Sequence, residues 1–124
     1  MSDKTKILYV DDEEINLQLF EINFQKKYQV ITALDGLKGL ELLEANPEIL
    51  IVISDMRMPK MNGIEFIKQA KERFPDKRFF ILTGFEITEE IQSALESGLI
   101  LRYFKKPFNI KEIDSALVQV IDMK

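Results

Sequence analysis

Ile49-Leu50-Ile51-Val52-Ile53-Ser54-Asp55 is an apolar, largely β-branched run that ends on a single carboxylate. Such a run, bounded by polar residues, reads as a strand buried on both faces. A strand of this kind belongs to the middle of an α/β sheet, and open α/β sheets build their binding sites outside the carboxyl ends of their strands. Asp55 is therefore the residue to which the rest of the chain is referred.

Upstream, Lys6-Ile7-Leu8-Tyr9-Val10 is a short strand that stops at Asp11-Asp12-Glu13-Glu14. A helix follows, with Ile15, Leu19 and Ile22 at helical spacing, Leu17, Phe20 and Phe24 widening the stripe, and Lys26-Lys27 near its carboxyl end. Tyr28 to Ala33 reads as a second strand. The next helix is expected from Asp35-Gly36 to Ala45, with Leu37, Leu40 and Leu43 as its apolar residues and Asn46-Pro47 as its stop. Gly39 inside it costs about 1 kcal/mol relative to alanine, and is read as a weaker helix position rather than as a close contact.

Downstream of Asp55, Met56-Arg57-Met58-Pro59-Lys60-Met61-Asn62-Gly63 breaks both regular periods. Asn62 and Glu65 have the spacing of a capping box, opening a third helix with Ile64, Ile67, Ala70 and Phe74 inward and Pro75-Asp76 closing it. Arg78 to Thr83 is a fourth strand, ending on a hydroxyl before Gly84. A fourth helix is expected over Ile87 to Ser97, with Ile87, Ile91, Ala94 and Leu95 inward and Gly98 as its C′ residue. Ile100 to Phe104 is the fifth strand, followed by Lys105-Lys106-Pro107-Phe108. Asn109 and Glu112 then open a last helix with Ile110, Ile113, Leu117, Val120 and Ile121 on its apolar face.

Strands alternating with helices at short connections predict an α/β fold: a five-stranded parallel sheet with helices on both faces. Right-handed crossovers bring every strand's carboxyl end to one edge. Asp11, Asp12, Asp55, Thr83 and Lys106 all fall there.

The 124 residues suit one domain, 1–124. Hydrophobic residues at 46% and charged residues at 31% are ordinary for a soluble protein, and no apolar run approaches the ~18 residues of a membrane span. The start, Met1-Ser2-Asp3-Lys4-Thr5-Lys6, lacks the apolar core of a signal peptide, and the absence of cysteine removes a disulfide framework. A cytoplasmic protein is expected. A net charge of −4 argues against a nucleic-acid surface. With neither histidine nor cysteine, zinc sites and Ser-His or Cys-His nucleophiles are excluded.

Three carboxylates forced together repel, and either a raised pKa or a bound cation relieves them. Magnesium, which takes one or two carboxylates together with substrate phosphate oxygens, suits Asp12 and Asp55 with a nearby main-chain carbonyl. A carboxylate can also attack phosphorus to form an aspartyl phosphate, with Lys106 and the Thr83 hydroxyl against the transferred oxygens. Singly, each of these residues has an ordinary structural reading; their joint arrival at one edge does not.

Tyr9-Val10-Asp11-Asp12-Glu13, Ser54-Asp55-Met56-Arg57-Met58-Pro59-Lys60-Met61-Asn62-Gly63, Leu82-Thr83-Gly84 and Phe104-Lys105-Lys106-Pro107-Phe108 resemble the motifs of bacterial response-regulator receiver domains, over residues 6–122. The resemblance implies a flavodoxin-like sheet of order 2-1-3-4-5. It implies Asp55 as phosphoacceptor, served by a sensor histidine kinase or histidine phosphotransfer protein. Magnesium, or manganese in its place, would be held by Asp12, Asp55 and the Arg57 main-chain carbonyl, with Asp11 acting through water. Lys106 and Thr83 would contact the phosphoryl group, with the Met56 and Gly84 backbone amides as further donors. Lys106 is preferred to Lys105 because it directly precedes Pro107 and because adjacent strand residues face opposite ways. Gly84 is taken to leave room for the Thr83 hydroxyl to swing. Arg57 and Phe85 fall at the family's variable flanking positions. Tyr103 falls at its switch aromatic, and the face of the fourth helix, fifth strand and fifth helix would carry the signal to a downstream protein or fused output domain, with homodimerisation left open. The chain would be a signalling domain rather than an enzyme, with no membrane partner. Two alternatives are an interaction module that is never phosphorylated and a magnesium-dependent phosphohydrolase. Such hydrolases usually place a second Asp where this chain has Arg57.

Overall fold

The computed structural model describes residues 4–84 and 86–122. In chain order the elements are β1 (Thr5–Val10), α1 (Glu14–Phe24), β2 (Tyr28–Ala33), α2 (Gly36–Ala45), β3 (Ile51–Asp55), α3 (Gly63–Arg73), β4 (Arg78–Thr83), α4 (Glu89–Glu96), β5 (Arg102–Lys105) and α5 (Ile110–Asp122). All strand pairs are parallel, in the order β2-β1-β3-β4-β5. The expected fold and strand order are those observed.

Alternation along the strands divides the core in two, because successive side chains leave a strand on opposite faces. On one face Leu8, Val10, Val52, Phe79 and Ile81 pack against Leu40, Leu43, Phe66, Ile67 and Ile91 of α2, α3 and α4. On the other, Ile7, Tyr9, Ile53, Phe80, Leu82 and Phe104 pack against Leu17, Phe20 and Phe24 of α1 and Ile113 and Leu117 of α5. Every residue of β3 is buried. Leu50, expected inside that strand, precedes it, yet its N–H bonds to the Lys6 carbonyl and its own carbonyl accepts from the Arg78 N–H.

Helix α1 buries only one half of its expected apolar stripe. Leu17, Phe20 and Phe24 are buried, whereas Ile15, Leu19 and Ile22 are 60%, 46% and 61% exposed. Both sets have helical spacing, so periodicity does not choose between them. Aromatic bulk does: Phe20 stacks between Tyr9 and Phe24, with centroids 4.3 and 4.4 Å away.

Leu37 and Ile110 are likewise exposed. Gly39 is a close contact after all, since a Cβ there would lie 2.9 Å from Phe66 Cε1 and 3.2 Å from Val10 Cγ2. Helix α4 starts later than expected because the Thr88 hydroxyl caps the Ile91 N–H at 3.2 Å; Ile87, ahead of it, still packs on the core. Gly98 terminates that helix with φ of +82°. Strand β5 begins at Arg102, and Ile100, expected to start it, is buried outside it. The Asn62–Glu65 capping box is present, and the Asn109 side chain accepts the Glu112 N–H at 3.0 Å.

Candidate phosphoryl and metal site

The carboxyl ends of four strands deliver the polar residues. Asp11 and Asp12 follow β1, Asp55 ends β3, Thr83 ends β4, and Lys106 follows β5. Asp12, Glu13, Asp55, Arg57, Gly84 and Lys106 line a cleft of about 360 Å³. Carboxylate oxygens of Asp11, Asp12 and Asp55 lie within 4.8 Å of one another. Asp11 is fully buried, Asp55 nearly so, and Asp12 is exposed.

Two cations, Lys106 and Arg57, line the cleft, and Lys106 pairs with its acids. Its Nζ lies 2.9 Å from Asp55 Oδ1 and 3.4 Å from Asp11 Oδ2. Lys105, its neighbour, is exposed and pairs in register with Thr83. The Thr83 carbonyl accepts the Lys106 N–H at 2.8 Å, which ties the end of β4 to the segment carrying the lysine.

Burial pushes the Asp55 carboxyl above its usual range; the Lys106 hydrogen bond opposes this, and the charges of Asp11 and Asp12 reinforce it. For Lys106 burial pulls downward, but the hydrogen bond and charge of Asp55 and the charge of Asp11 outweigh it, and the net direction is up. Three carboxylates whose oxygens lie this close together offer hard donors that fit a small divalent cation.

Some details were not expected. Asp11 Oδ1 accepts the Glu13 N–H at 2.9 Å and its Oδ2 accepts the Tyr9 hydroxyl at 2.7 Å. Sequence reasoning passed over Tyr9, although strand alternation places it on the same face as Asp11, two residues on. Gly63 was also missed: a Cβ there would lie 2.4 Å from the Asp55 carbonyl oxygen and 2.8 Å from Ile81 Cδ1. At Gly84 a Cβ would meet Lys106 carbons at 3.7 Å, an ordinary contact, so packing against Lys106 does not demand glycine. The Met56 N–H, a candidate phosphoryl donor, is engaged by the Leu82 carbonyl at 3.0 Å. Tyr103, half-buried, pairs with Ile81, two residues before Thr83, and shares its face of the sheet. Phe85 lies outside the described residues.

The family model described as response regulator receiver domain matches residues 7–118. Sporulation initiation phosphotransferase F of Bacillus subtilis is 35% identical over 96% of this chain and 95% of its own length. The alkaline phosphatase synthesis transcriptional regulatory protein PhoP of the same organism is 36% identical over 94% of this chain, which spans 48% of that protein. Among solved structures, a response regulator receiver domain protein from Clostridium thermocellum superposes with a TM-score of 0.89 at 30% identity, covering 96% of this chain and 95% of that one. Vibrio cholerae chemotaxis protein CheY4 superposes with a TM-score of 0.85 at 28% identity, covering 94% of this chain and 98% of that one. With its fold, its acidic edge and a family match over most of its length, this chain belongs to the response regulator receiver domains, the signalling domains of two-component systems.

Proposed function

We propose that residues 1–124 form a single receiver domain that takes a phosphoryl group on Asp55 from a phosphohistidine of a sensor histidine kinase or histidine phosphotransfer protein. The observation that carries this reading is the meeting of Asp11, Asp12 and Asp55, with the Lys106 ammonium 2.9 Å from Asp55 Oδ1 and 3.4 Å from Asp11 Oδ2. An Asp55 oxygen attacks phosphorus; the new P–O bond forms as the P–N bond breaks, and the imidazole leaves with the bonding pair. Lys106 and the Thr83 hydroxyl then hold the phosphoryl oxygens, with the Gly84 amide and, if it leaves Leu82, the Met56 amide as further donors. This is positioning and charge neutralisation, which phosphoryl transfer chiefly needs.

Asp12, Asp55 and the Arg57 carbonyl, with Asp11 behind them, would hold magnesium, or manganese in its place. When bound, the ion neutralises charge on the phosphoryl oxygens. The chain assists its own labelling and hydrolysis without acting on a separate substrate. Thr83, drawn to the phosphoryl group, leaves room for Tyr103 to turn inward, which alters the face of α4, β5 and α5 read by a downstream protein or fused output domain. The cytoplasm is the setting we infer.

Incubation of the protein with acetyl phosphate and magnesium tests the reading by intact mass. A single acid-stable, base-labile adduct that disappears in Asp55→Asn is expected. Continuous turnover without an adduct would identify a hydrolase, and no reaction an interaction module.

A further inference from the structure

Behind Asp11, outside the lining of the acidic cleft, lies a phenol that shares a neighbouring cavity with Lys106 and Phe108. Tyr9 is 1% exposed, and its ring is held by stacking on Phe20, which meets Phe24 and Phe108 in turn. The hydroxyl donates to Asp11 Oδ2 over 2.7 Å. A tyrosine hydroxyl is protonated at neutral pH, and so it donates to the carboxylate.

An ionised carboxylate offers about four lone-pair positions on its two oxygens. In Asp11 the Glu13 amide occupies one on Oδ1, while Tyr9 and Lys106 both approach Oδ2. The lysine stands 3.4 Å from that oxygen but 2.9 Å from Asp55. A fully buried carboxylate needs its donors, because an unsatisfied charge in the interior is costly. Were the phenol absent, Lys106, already 3.4 Å from the same oxygen, would be drawn toward Asp11 and off Asp55.

We propose that Tyr9 is a positioning residue of the phosphoryl site: its hydroxyl satisfies the buried Asp11 carboxylate and thereby leaves Lys106 to Asp55 and to the phosphoryl group built on it. The proposal rests on the phosphoacceptor reading above and assigns a task to a residue outside the motif acids. Tyr9 touches neither donor nor phosphate; it acts through Asp11 and Lys106.

Tyr9→Phe keeps the ring and its stacking and removes only the hydroxyl. The matched control is Tyr28→Phe, because Tyr28 also donates to a carboxylate, 2.6 Å to Asp114 Oδ1, well away from the cleft. With acetyl phosphate and magnesium, Tyr9→Phe should lower the maximal labelling rate about ten-fold, the scale of one transition-state hydrogen bond. The half-saturating donor concentration should stay nearly unchanged. Tyr28→Phe should label at the wild-type rate. Equal rates in Tyr9→Phe and wild type, or equal losses in both variants, overturn the proposal while leaving the phosphoacceptor reading intact. If the wild type itself takes no label, that reading falls and this one with it. Should Tyr9→Phe fail to fold, the wild type decides: with 13Cζ-labelled tyrosine, the Tyr9 resonance should move when beryllium fluoride and magnesium occupy Asp55 and Lys106 leaves Asp11, while Tyr28 stays fixed. A stationary Tyr9 signal then overturns the proposal.

Discussion

The two ends of the sheet handle charge in opposite ways. At the carboxyl end Asp11, Asp55 and Thr83 are buried on short side chains anchored to strand ends. At the amino end Lys71, Lys77, Arg78 and Arg102 surround a cleft of about 430 Å³ floored by Phe79, Phe80 and Leu99. Those cations are long and partly exposed. Lys77 Nζ donates to the Pro47 carbonyl, Lys71 Nζ to the Gly98 carbonyl, and Arg102 pairs with Glu112. A long side chain can bury its stem and keep its charge wet, whereas a carboxylate one carbon from a rigid strand cannot retreat. The roomier cleft is therefore not the one we propose for the chemistry: the proposed site lies where the fold prevents charges from relaxing.

Crowding at the carboxyl end should make it the more sensitive to added bulk. Gly63→Ala sets a Cβ against the Asp55 carbonyl, which as backbone has little freedom to move. It should destabilise the protein by about 3 kcal/mol, measured by urea unfolding. An effect below the scale of a surface substitution would show that the close approach is not a constraint.

Magnesium should offset the same crowding. At about a hundred times its dissociation constant the ion should add about 2.7 kcal/mol, seen as a rise in thermal midpoint that Asp12→Asn reduces. An equal rise in the variant would place the cation elsewhere.

Without magnesium, Asp55→Asn should be more stable than wild type near pH 7, by less than the magnesium effect. The Asp55 carboxyl is raised in the folded state, chiefly by burial. A raised acid favours the fold below its unfolded value, and that contribution is lost as pH climbs through the folded value. The gap between variant and wild type should therefore narrow on acidification. A gap that widens would reverse the assigned direction.

At the amino end Lys77→Gln and Arg78→Gln should each change stability by no more than about 0.5 kcal/mol in the same urea experiment. Larger losses would mean that these cations are held as tightly as the acids opposite, and the contrast between the two ends would fail.

Much of this architecture was legible in the chain. The Asn62–Glu65 cap, the Gly98 stop and the strand ends at Asp55 and Thr83 are local signals, and each stands where its residues indicate. Lys106, preferred to Lys105 because it directly precedes Pro107 and because neighbouring residues face opposite ways, is the lysine that pairs with Asp55. Other features were not local. Nothing in the spacing of α1 tells Phe20 from Leu19 as the inward residue; the aromatic stack with Tyr9 and Phe24 does. Gly39 reads as a weak helix position until Phe66, from another helix, is seen against it.

By itself, then, the sequence determined the alternation of elements, the sheet they form and the edge to which the acids, hydroxyl and lysine are carried. These depend on period, caps and crossover hand, which act within a few residues or as general rules of chain geometry. Only the tertiary structure decided the phase of α1, the tight approach of Gly63 to Asp55 and the hydrogen bond from Tyr9 to Asp11. Each of these is a question of which groups fill the same small volume, and close packing answers it only when the layers meet.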